Sequence, residues 1–347
     1  MIDLLLWPFL LVAIAATLGF GLGCLTGRAK VLGSASTTAG SHANWHQPGG
    51  VVPAPAHATS NRLEQAASWG YQLLDLDVDL AVQSPFDLLV LDRTKDRTEA
   101  TALLPAEIAR LKRKPDGSRR LVLASCSIGE AEAYRSYWRP EWERVAPEWL
   151  LGENPEWEDR YAVCFWHPGW RYLIAGSPGA ELDRIIAQGF DGVLLDNCCA
   201  AESLRRDFPA AASARIDLEG DMVDLVRRVS DYARARQPGF YVLLQNAEAL
   251  LERSDLRRAV DGVVKEELLF GLSAPEAANH HDAVERSRAR LDLARHSGKP
   301  VFVVEYLASL AKIEEAATRA RLLGYRLYVS SKDRELDHLV ISVPTSA

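Results

Sequence analysis

The sequence predicts a (β/α)8 TIM barrel, preceded by an N-terminal hydrophobic segment and a flexible linker. From Phe86 onward, short apolar runs alternate with amphipathic helical patterns, and eight such runs fall within about 245 residues, which is typical of this barrel. Near-continuous apolar runs predict parallel strands that are covered on both faces. No GxGxxG sequence follows any of these runs, which counts against an open doubly wound sheet with a dinucleotide site.

Eight runs are predicted as the barrel strands. They are Phe86–Leu91, Arg120–Ser125, Tyr161–Trp166, Gly192–Leu195, Phe240–Leu244, Gly262–Lys265, Val301–Val304 and Tyr325–Ser330. A ninth run, Tyr71–Asp77, precedes them. It is either an extra strand or the true first strand with the last predicted strand surplus, and the sequence leaves both alternatives open.

The helices are predicted from amphipathic patterns between these runs. The clearest are Pro105–Lys114, Ala180–Gln188, Asp221–Arg236, Asp282–His296 and Ser309–Leu323. Glycine follows several of them, and glycine commonly ends a helix because it adopts a left-handed backbone without steric cost. The glycines in question are Gly189, Gly239, Gly298 and Gly324.

The first 60 residues are predicted to lie outside the barrel. Leu4–Leu25 is an uncharged run of 22 residues, which as a helix rising about 1.5 Å per residue would cross a bilayer core of ~30 Å. We expect residues 1–30 to be a signal peptide or membrane anchor and residues 31–60, which contain no Asp, Glu, Lys or Arg, to be a disordered linker. Residues 61–347 form the predicted barrel.

The orientation of the hydrophobic segment is left open. Arg28 and Lys30 follow it, and by the positive-inside rule they favour a cytoplasmic barrel. Cys24 loosely matches a lipoprotein cleavage site, which is a third alternative to a signal peptide and an anchor.

Composition limits the function classes. Hydrophobic residues make up 48% and charged residues 25% of the 347 residues, which is ordinary for a globular domain. The net charge is 40 − 47 = −7, so we expect no nucleic-acid partner, because phosphate binding requires a basic surface.

The cysteines allow three interpretations. Four of them lie at the ends of predicted strands: Cys126, Cys164, Cys198 and Cys199. They could form a thiolate metal site, a disulfide such as Cys126–Cys164, or small buried thiols, and we favour buried thiols. No CxxC spacing occurs, so the sequence gives no reason to assign a metal or a cofactor.

Carboxylates collect where the predicted strands end, which is where the active sites of TIM barrels lie. They are Asp92, Glu130, Glu132, Asp196, Glu266, Glu267 and Glu305. Glycoside hydrolysis requires two such groups, one to protonate the leaving oxygen and one to attack or to activate water. Six of the nine tryptophans lie between Trp138 and Trp170, and flat aromatic faces bind sugar rings. We expect about half of these tryptophans to pack the long insertion instead.

Several motifs carry a resemblance to a known family. Residues 127–138 read SIGEAEAYRSYW and closely resemble the SIGEAE-YR-YW signature of glycoside hydrolase family 114, which contains endo-α-1,4-polygalactosaminidases. Residues 189–196 read GFDGVLLD and resemble the GFDGVYLD strand of that family. Weaker matches, which together cover about residues 69–335, are Trp69–Leu73, Pro85–Asp92, Gln245-Asn246, Asp261–Glu266 and Val304–Tyr306.

The resemblance implies a TIM barrel whose catalytic residues are Asp196 and Glu266. Glu267 is the alternative to Glu266, because adjacent strand residues point to opposite sides. We expect Asp196 to stay ionised and attack the anomeric carbon, and Glu266, with a raised pKa, to act as acid/base in a retaining mechanism. The family usually reads LD-x-x-D-A where this chain has Cys199 in place of the second aspartate, which leaves the substrate in doubt.

The remaining site residues are predicted to bind substrate. They are Asp92, Glu130, Glu132, Tyr134, Trp138, Trp166, Asn246, Glu305 and Tyr306. The implied partner is an amino-sugar polysaccharide, cleaved by an endo-acting monomer that is exported, or tethered outside the cytoplasm by residues 4–25. The alternatives are a barrel that binds polysaccharide without cleaving it and a hydrolase of another glycan.

Overall fold

The computed structural model describes residues 62–155 and 157–341. The predicted hydrophobic segment (1–30) and linker (31–60) lie outside the described residues. Within the described ranges, no helix is both long enough and apolar enough to cross a bilayer.

Eleven strands are present in the described residues. In chain order they are β1 (Trp69–Gln72), β2 (Leu88–Leu91), β3 (Leu121–Ser127), β4 (Glu130–Glu132), β5 (Leu150–Glu153), β6 (Arg160–Val163), β7 (Gly192–Asp196), β8 (Tyr241–Gln245), β9 (Gly262–Glu266), β10 (Val301–Tyr306) and β11 (Arg326–Ser330).

The helices of the described residues follow the same order. They are α1 (Arg62–Gln65), α2 (Val78–Val82), α3 (Pro105–Leu111), α4 (Pro168–Ile174), α5 (Glu181–Gln188), α6 (Ala200–Asp207), α7 (Pro209–Ser213), α8 (Leu218–Arg236), α9 (Ser254–Ala259), α10 (His281–His296) and α11 (Leu310–Leu323). Short 3-10 helices cover Glu99–Thr101, Pro140–Glu143 and Glu248–Glu252. Gly189 and Gly324 end α5 and α11 at φ 90° and 70°, which confirms their predicted role as left-handed caps.

Eight parallel strands form a nearly closed TIM barrel in the order β1-β2-β3-β7-β8-β9-β10-β11. The outer helices cover it, so the strands are buried on both faces and read as apolar runs. At the seam between β1 and β11, the indole N–H of Trp69 donates to the carbonyl of Arg326 at 3.0 Å. The predicted fold class is therefore confirmed.

One predicted strand was assigned to the wrong sheet. The run Tyr161–Trp166 contributes β6, which pairs antiparallel with β4 and β5 in a separate three-stranded sheet and is not part of the barrel. The barrel's first strand is β1, at the start of the extra run Tyr71–Asp77, and the last predicted strand is retained as β11. The error arises because the insertion has its own apolar packing, and a short buried run has the same sequence character in either sheet.

The three-stranded sheet belongs to the insertion between β3 and β7, and its β4–β6 pair is called the insertion ribbon below. Glu130 lies opposite Ala162 and Glu132 lies opposite Arg160 in this pair. Ala131 and Tyr161 also face each other, and because side chains alternate along a strand they lie on the other face. The ribbon therefore has one charged face and one apolar face.

Candidate active site

Three neighbouring barrel strands, β7, β8 and β9, end at the barrel mouth in the same backbone conformation. The residue that follows each strand has a positive φ: 57° at Asn197, 56° at Asn246 and 52° at Glu267. Such conformations cost about 1–3 kcal/mol for residues other than glycine and cluster at functional sites. They turn the chain abruptly, so that Asp196 and Glu266, the last residues of β7 and β9, stand at the mouth.

Glu266 is held by two side chains. The amide Nδ2 of Asn246 donates to its Oε2 at 2.8 Å, and the hydroxyl of Tyr306 donates to its Oε1 at 2.5 Å. Its own backbone N–H donates to Oδ1 of Asn246 at 3.0 Å. Two donated hydrogen bonds stabilise a carboxylate and fix its orientation. Asn246 and Tyr306 were predicted to bind substrate, and the structure shows them as the partners of Glu266.

Asp196 has a different environment. Its Oδ1 accepts the backbone N–H of Asn197 at 2.7 Å. Burial and then the charge of Glu266 raise the pKa of Asp196 to about 7, against the charge of Arg160 and the Asn197 hydrogen bond. We expected Asp196 to stay ionised and Glu266 to carry the raised pKa. That expectation was wrong for Asp196, because its polar turn supplies one donor while the neighbouring carboxylate repels its charge.

Tyr71 is a site residue that the sequence analysis did not assign. It is buried on β1, and its hydroxyl donates to Oε1 of Gln245 at 3.2 Å. Burial and the charges of Glu266 and Asp196 raise its pKa well above the usual value, which places its hydroxyl beside both acids. It belongs to the quoted Trp69–Leu73 motif, but only the closure of the barrel brings β1 across from Gln245 on β8.

Asp92 and Glu132, both predicted to bind substrate, are buried in an ionic network. Arg135 donates to both oxygens of Asp92, at 3.0 and 2.7 Å, and to Oε2 of Glu132 at 2.7 Å. Burial alone would raise the pKa of Asp92, but the charge of Arg135 and the Thr94 hydrogen bonds outweigh it and lower the pKa. These acids balance a buried cation, and the structure does not support a substrate contact at Asp92.

Glu305 also differs from its predicted role. It is 0% exposed, and its two oxygens accept the backbone N–H groups of Leu269 at 2.8 Å and Phe270 at 3.2 Å. Burial raises the pKa of Glu305 to about 8 in spite of these two bonds. A residue without exposed surface does not contact a sugar, so Glu305 instead holds the loop that follows Glu266.

Glu267 and Glu266 have different partners, as alternation predicts. Glu267 forms an ion pair with Arg334, which lies beyond β11 and also donates to the carbonyl of Gly271 at 3.2 Å. Glu266 is the member of this pair whose charge raises the pKa of Asp196. This electrostatic interaction groups Asp196 with Glu266, the residue that the family pattern favours.

The charged face of the insertion ribbon lies beside Asp196. Both Glu132 and Arg160 influence the pKa of Asp196, and Glu130 accepts a hydrogen bond from Nδ2 of Asn154 at 2.8 Å. Tyr134 is half-buried and donates to Glu132. Glu130 and Tyr134 thus remain candidates for substrate contact through this face of the ribbon.

The insertion tryptophans mainly contact one another. Trp138 packs on Tyr161, with ring centroids 4.6 Å apart, and on Trp142 at 5.4 Å. The series continues from Trp142 to Trp149 at 5.1 Å and from Trp149 to Trp170 at 5.3 Å. Because Tyr161 is on the apolar face of the ribbon, Trp138 packs against the face opposite Glu130 and Glu132, so its predicted substrate contact is not supported.

Two further tryptophans lie outside this series. Trp157 is 55% exposed, and the guanidinium of Arg160 lies 5.3 Å from its ring centroid. Trp166 is half-buried, with Arg215 at 5.7 Å from its ring. Trp157 was counted among the insertion aromatics but not selected, since exposure is not readable from sequence spacing.

The cysteines at the strand ends are free thiols. Cys126, Cys164 and Cys198 are buried and Cys199 is exposed, so the disulfide alternative is not realised in the described residues. In the same residues, no group of three His, Cys, Asp or Glu side chains has an arrangement that could hold a metal ion. Burial and the charge of Asp196 raise the pKa of the buried Cys198 well above its usual value, so this thiol is protonated at neutral pH.

Gly129 explains the glycine of the SIGEAE sequence. A Cβ atom there would lie 2.0 Å from the carbonyl oxygen of Asn197, so only glycine permits this approach. The backbone N–H of Ile128 donates to the carbonyl of Asp196 at 3.1 Å, and Nδ2 of Asn197 donates to Oγ of Ser127 at 3.0 Å. The motif therefore attaches the ribbon to the end of β7.

The arrangement has the components of acid-base chemistry on a sugar. Asp196, with its pKa raised to about 7, can give and take a proton near neutral pH, and the second carboxyl group, Glu266, has a different set of hydrogen-bond partners. The charged face of the insertion ribbon lies beside Asp196, and the exposed ring of Trp157 contacts Arg160 of that ribbon.

Comparison with known proteins agrees with this geometry. The model of glycoside-hydrolase family GH114 matches residues 51–346. The uncharacterized protein MJ1477 of Methanocaldococcus jannaschii is 36% identical over 287 residues, which are 78% of this chain and 77% of that protein. An uncharacterized protein of Deinococcus radiodurans is 34% identical over 299 residues, 85% of this chain and 89% of its own.

A solved structure shares the fold. The glycoside hydrolase domain of PelA from Pseudomonas aeruginosa superposes with a TM-score of 0.57 at 20% identity, over 79% of this chain and 98% of that domain.

Proposed function

The chain belongs to glycoside-hydrolase family GH114, and we propose that it cleaves an amino-sugar polysaccharide of the α-1,4-galactosamine type, using the carboxyls of Asp196 and Glu266. The observation that carries the proposal is the interaction of these two acids at the barrel mouth, where the charge of Glu266 raises the pKa of Asp196. A barrel that only binds polysaccharide has no need for two carboxyls that repel each other.

The contacts favour a division of roles opposite to the sequence-based one. Glu266 accepts hydrogen bonds from Asn246 and Tyr306, so it is the carboxylate that faces the anomeric carbon. Asp196, with its pKa near 7, is the acid that protonates the leaving oxygen and later activates water. In the retaining form of this chemistry, the first step forms a bond between Glu266 and the sugar and breaks the glycosidic C–O bond.

The substrate proposal rests on charge. The chain carries a net charge of −7, which favours association with a polycation. We propose internal cleavage of the polymer by a monomer, and export or tethering outside the cytoplasm through residues 4–25. A C-terminal alkaline phosphatase fusion should then be active. An inactive fusion, beside an active cytosolic reporter at the same junction, would contradict export.

Product analysis tests the activity. The purified protein is incubated with partly deacetylated galactosaminoglycan, and released oligosaccharides are identified by mass spectrometry. We expect Asp196→Asn and Glu266→Gln each to lower turnover at least ~10²-fold with the fold intact. Glu267→Gln is the matched control and should keep most of the activity. If Asp196→Asn and Glu266→Gln both stay active, the assignment as a hydrolase fails and the binding barrel replaces it.

A leaving-group comparison tests the roles. An aryl glycoside with an acidic phenol needs little protonation, so Asp196→Ala should retain much more activity on it than on the polymer. Glu266→Ala should lose activity on both substrates. The reverse pattern would restore the sequence-based roles and leave the hydrolase assignment in place.

A further inference from the structure

The end of the barrel opposite the mouth carries a basic cavity of about 350 Å³. Asp87, which directly precedes β2, and Leu121, which begins β3, both line it. The cavity therefore lies where the barrel strands begin, at the far end from Asp196 and Glu266. Three of its eight lining residues are cations, and Asp87 is the one acid among them. The cations are Arg62, Lys114 and Arg119.

The acid of this cavity is already neutralised. Oδ1 of Asp87 accepts a hydrogen bond from Nζ of Lys114 at 2.8 Å. Asp116 also approaches that ammonium group, with an oxygen 3.7 Å from it. Arg62 and Arg119 are exposed, and neither forms an ion pair within residues 62–155 and 157–341. The two arginines are therefore positive charges that these acids leave unbalanced.

A further arginine extends the positive charge. Arg113 is exposed, and it lies opposite Arg119 in an isolated antiparallel bridge. Like charges directly opposite each other in such a pair repel, and an anion bound between them relieves the repulsion. We call Arg62, Arg113, Lys114 and Arg119 the basic surface. It attracts anions locally, although the chain as a whole carries a net charge of −7.

The chain enters the barrel beside this surface. Arg62 is the first residue of α1, and α1 is fixed beneath the strands by Arg326, the first residue of β11. Nε of Arg326 donates to the carbonyl of Ala66, the residue after α1, at 2.6 Å. The backbone N–H of Ser68 donates to Oδ2 of Asp87 at 3.1 Å. The polypeptide that precedes Arg62 is therefore attached to the barrel at its basic end and not at its mouth.

We propose that the basic surface docks on the anionic lipid headgroups of the membrane to which residues 4–25 tether the chain. As the predicted flexible linker, residues 31–60 span about 30 Å on average. The tether keeps the basic surface near the lipids at a high effective concentration, so a few weak ionic contacts orient the barrel. The mouth then faces away from the bilayer. This inference goes beyond the proposed catalytic function and rests only on the proposed tethering.

The tether is also the reason to favour lipid over nucleic acid as the anion. A net charge of −7 repels a polyanion that approaches from solution, and four cations do not outweigh that repulsion at a distance. A membrane that already holds the chain does not have to approach. Only the contact between headgroups and the basic surface then remains to be formed.

Energy transfer in vesicles tests the docking. The full chain is reconstituted in vesicles that contain acceptor-labelled lipids, with a donor dye at Ser118→Cys beside the cavity or at Ser273→Cys on the mouth side. Both positions are exposed, and Cys24→Ser and Cys199→Ser prevent labelling elsewhere. With phosphatidylglycerol, transfer should be clearly stronger from position 118 than from position 273. With phosphatidylcholine alone, or in high salt, the difference should shrink.

Matched charge variants identify the surface. Arg62→Gln and Arg119→Gln together should lower the ratio of docked to undocked barrels, by about fivefold for each cation removed. Transfer from position 118 should then fall to its value with phosphatidylcholine.

Arg139→Gln with Arg144→Gln is the control. Both arginines are exposed in the insertion between β3 and β7, away from the basic surface, and the pair removes the same total charge. This control should leave the transfer from both dye positions unchanged, and melting temperatures of all variants report folding separately.

The outcomes separate docking from tethering. A full chain that floats with neither kind of vesicle overturns the proposed tethering and this inference with it. Vesicle-bound protein with equal transfer on both lipids, or with transfer that the Arg62 and Arg119 variant does not change, overturns the docking alone. Loss of the stronger transfer on addition of a duplex oligonucleotide at equal phosphate concentration would also overturn it, because the basic surface would then prefer nucleic acid.

Discussion

The barrel contains two groups of acids near its mouth, and they are built in opposite ways. In the first, Asp92, Glu132 and Glu181 are buried with Arg93 and Arg135, and each of the three carboxylates contacts an arginine. In the second, Asp196 and Glu266 interact with each other, and neither forms an ion pair among the described residues. In the first group, arginines neutralise the carboxylates. In the second group, the repulsion between the two carboxyls raises the pKa of Asp196, which allows proton transfer near neutral pH.

The difference separates structural from reactive carboxylates. Both groups include acids that directly follow apolar runs, so they look alike in the sequence. What distinguishes them is the partner: Arg135 comes from the SIGEAE-containing segment and reaches Asp92 across 43 positions of sequence. An acid at a barrel strand end is therefore a catalytic candidate only when no arginine balances it.

The largest expected effect is at Arg135. Arg135→Gln leaves two buried carboxylates without their cation, which typically costs about 3–5 kcal/mol of the free energy of unfolding. Urea unfolding of the purified variant measures it. Arg144→Gln, at an exposed arginine of the same insertion, should change stability little. Equal stability of the two variants would mean that the network is not balanced by Arg135.

The next effect is a pH dependence that comes from Glu305. Its pKa rises from 4.5 to about 8 on folding, so the folded protein holds a proton that the unfolded chain releases. The free energy of unfolding should therefore fall as the pH rises from about 5 to about 8, on the order of 3 kcal/mol, and level off above.

Unfolding of wild type and Glu305→Gln at several pH values measures this dependence. The variant should show a clearly flatter slope, whereas Glu141→Gln, at an exposed position, should keep the wild-type slope. If Glu305→Gln retains the full slope, the Glu305 carboxyl is not the group that titrates.

The same carboxyl-to-amide change in the two groups should have unequal consequences for stability. Asp92→Asn weakens a buried charge-assisted pair with Arg135 and should cost about 1–3 kcal/mol. Asp196→Asn removes repulsion with Glu266 and should leave the melting temperature unchanged or higher, with the gain largest above pH 7. Differential scanning calorimetry at pH 6 and 8 compares them, and a reversed order would contradict the distinction between the groups.

The smallest expected effect concerns the aromatics. Trp157→Ala should weaken oligosaccharide binding by about 0.5–1.5 kcal/mol and leave the melting temperature unchanged, because its ring is exposed beside Arg160. Trp138→Ala should lower the melting temperature with substrate affinity unchanged, since its ring packs on Tyr161. Calorimetric binding and thermal melts of both variants test this pair, and exchanged results would return Trp138 to the role of a sugar platform.

The barrel was predictable because its signals are local. The helical periodicity of apolar residues, the apolar runs of strands and the glycines that end helices can each be seen within a few residues of sequence. Helix α5 and strand β7 are therefore predicted almost at their final bounds. The assignment of Tyr161–Trp166 to the barrel was wrong because the strand with which a run pairs is decided by residues far away in the sequence. The acids were found for the same reason as the strands, but the charge of Asp196, the burial of Glu305 and the position of Arg160 depend on contacts between distant elements.

The attachment of the insertion ribbon to β7 has a kinetic consequence. Gly129 is packed against Asn197 and the N–H of Ile128 donates to the Asp196 carbonyl, so the insertion ribbon is joined directly to the strand that carries Asp196. We therefore expect the ribbon and β7 to move together. Product departure should then depend on the strength of the sugar contacts and not on a movement of the ribbon against β7.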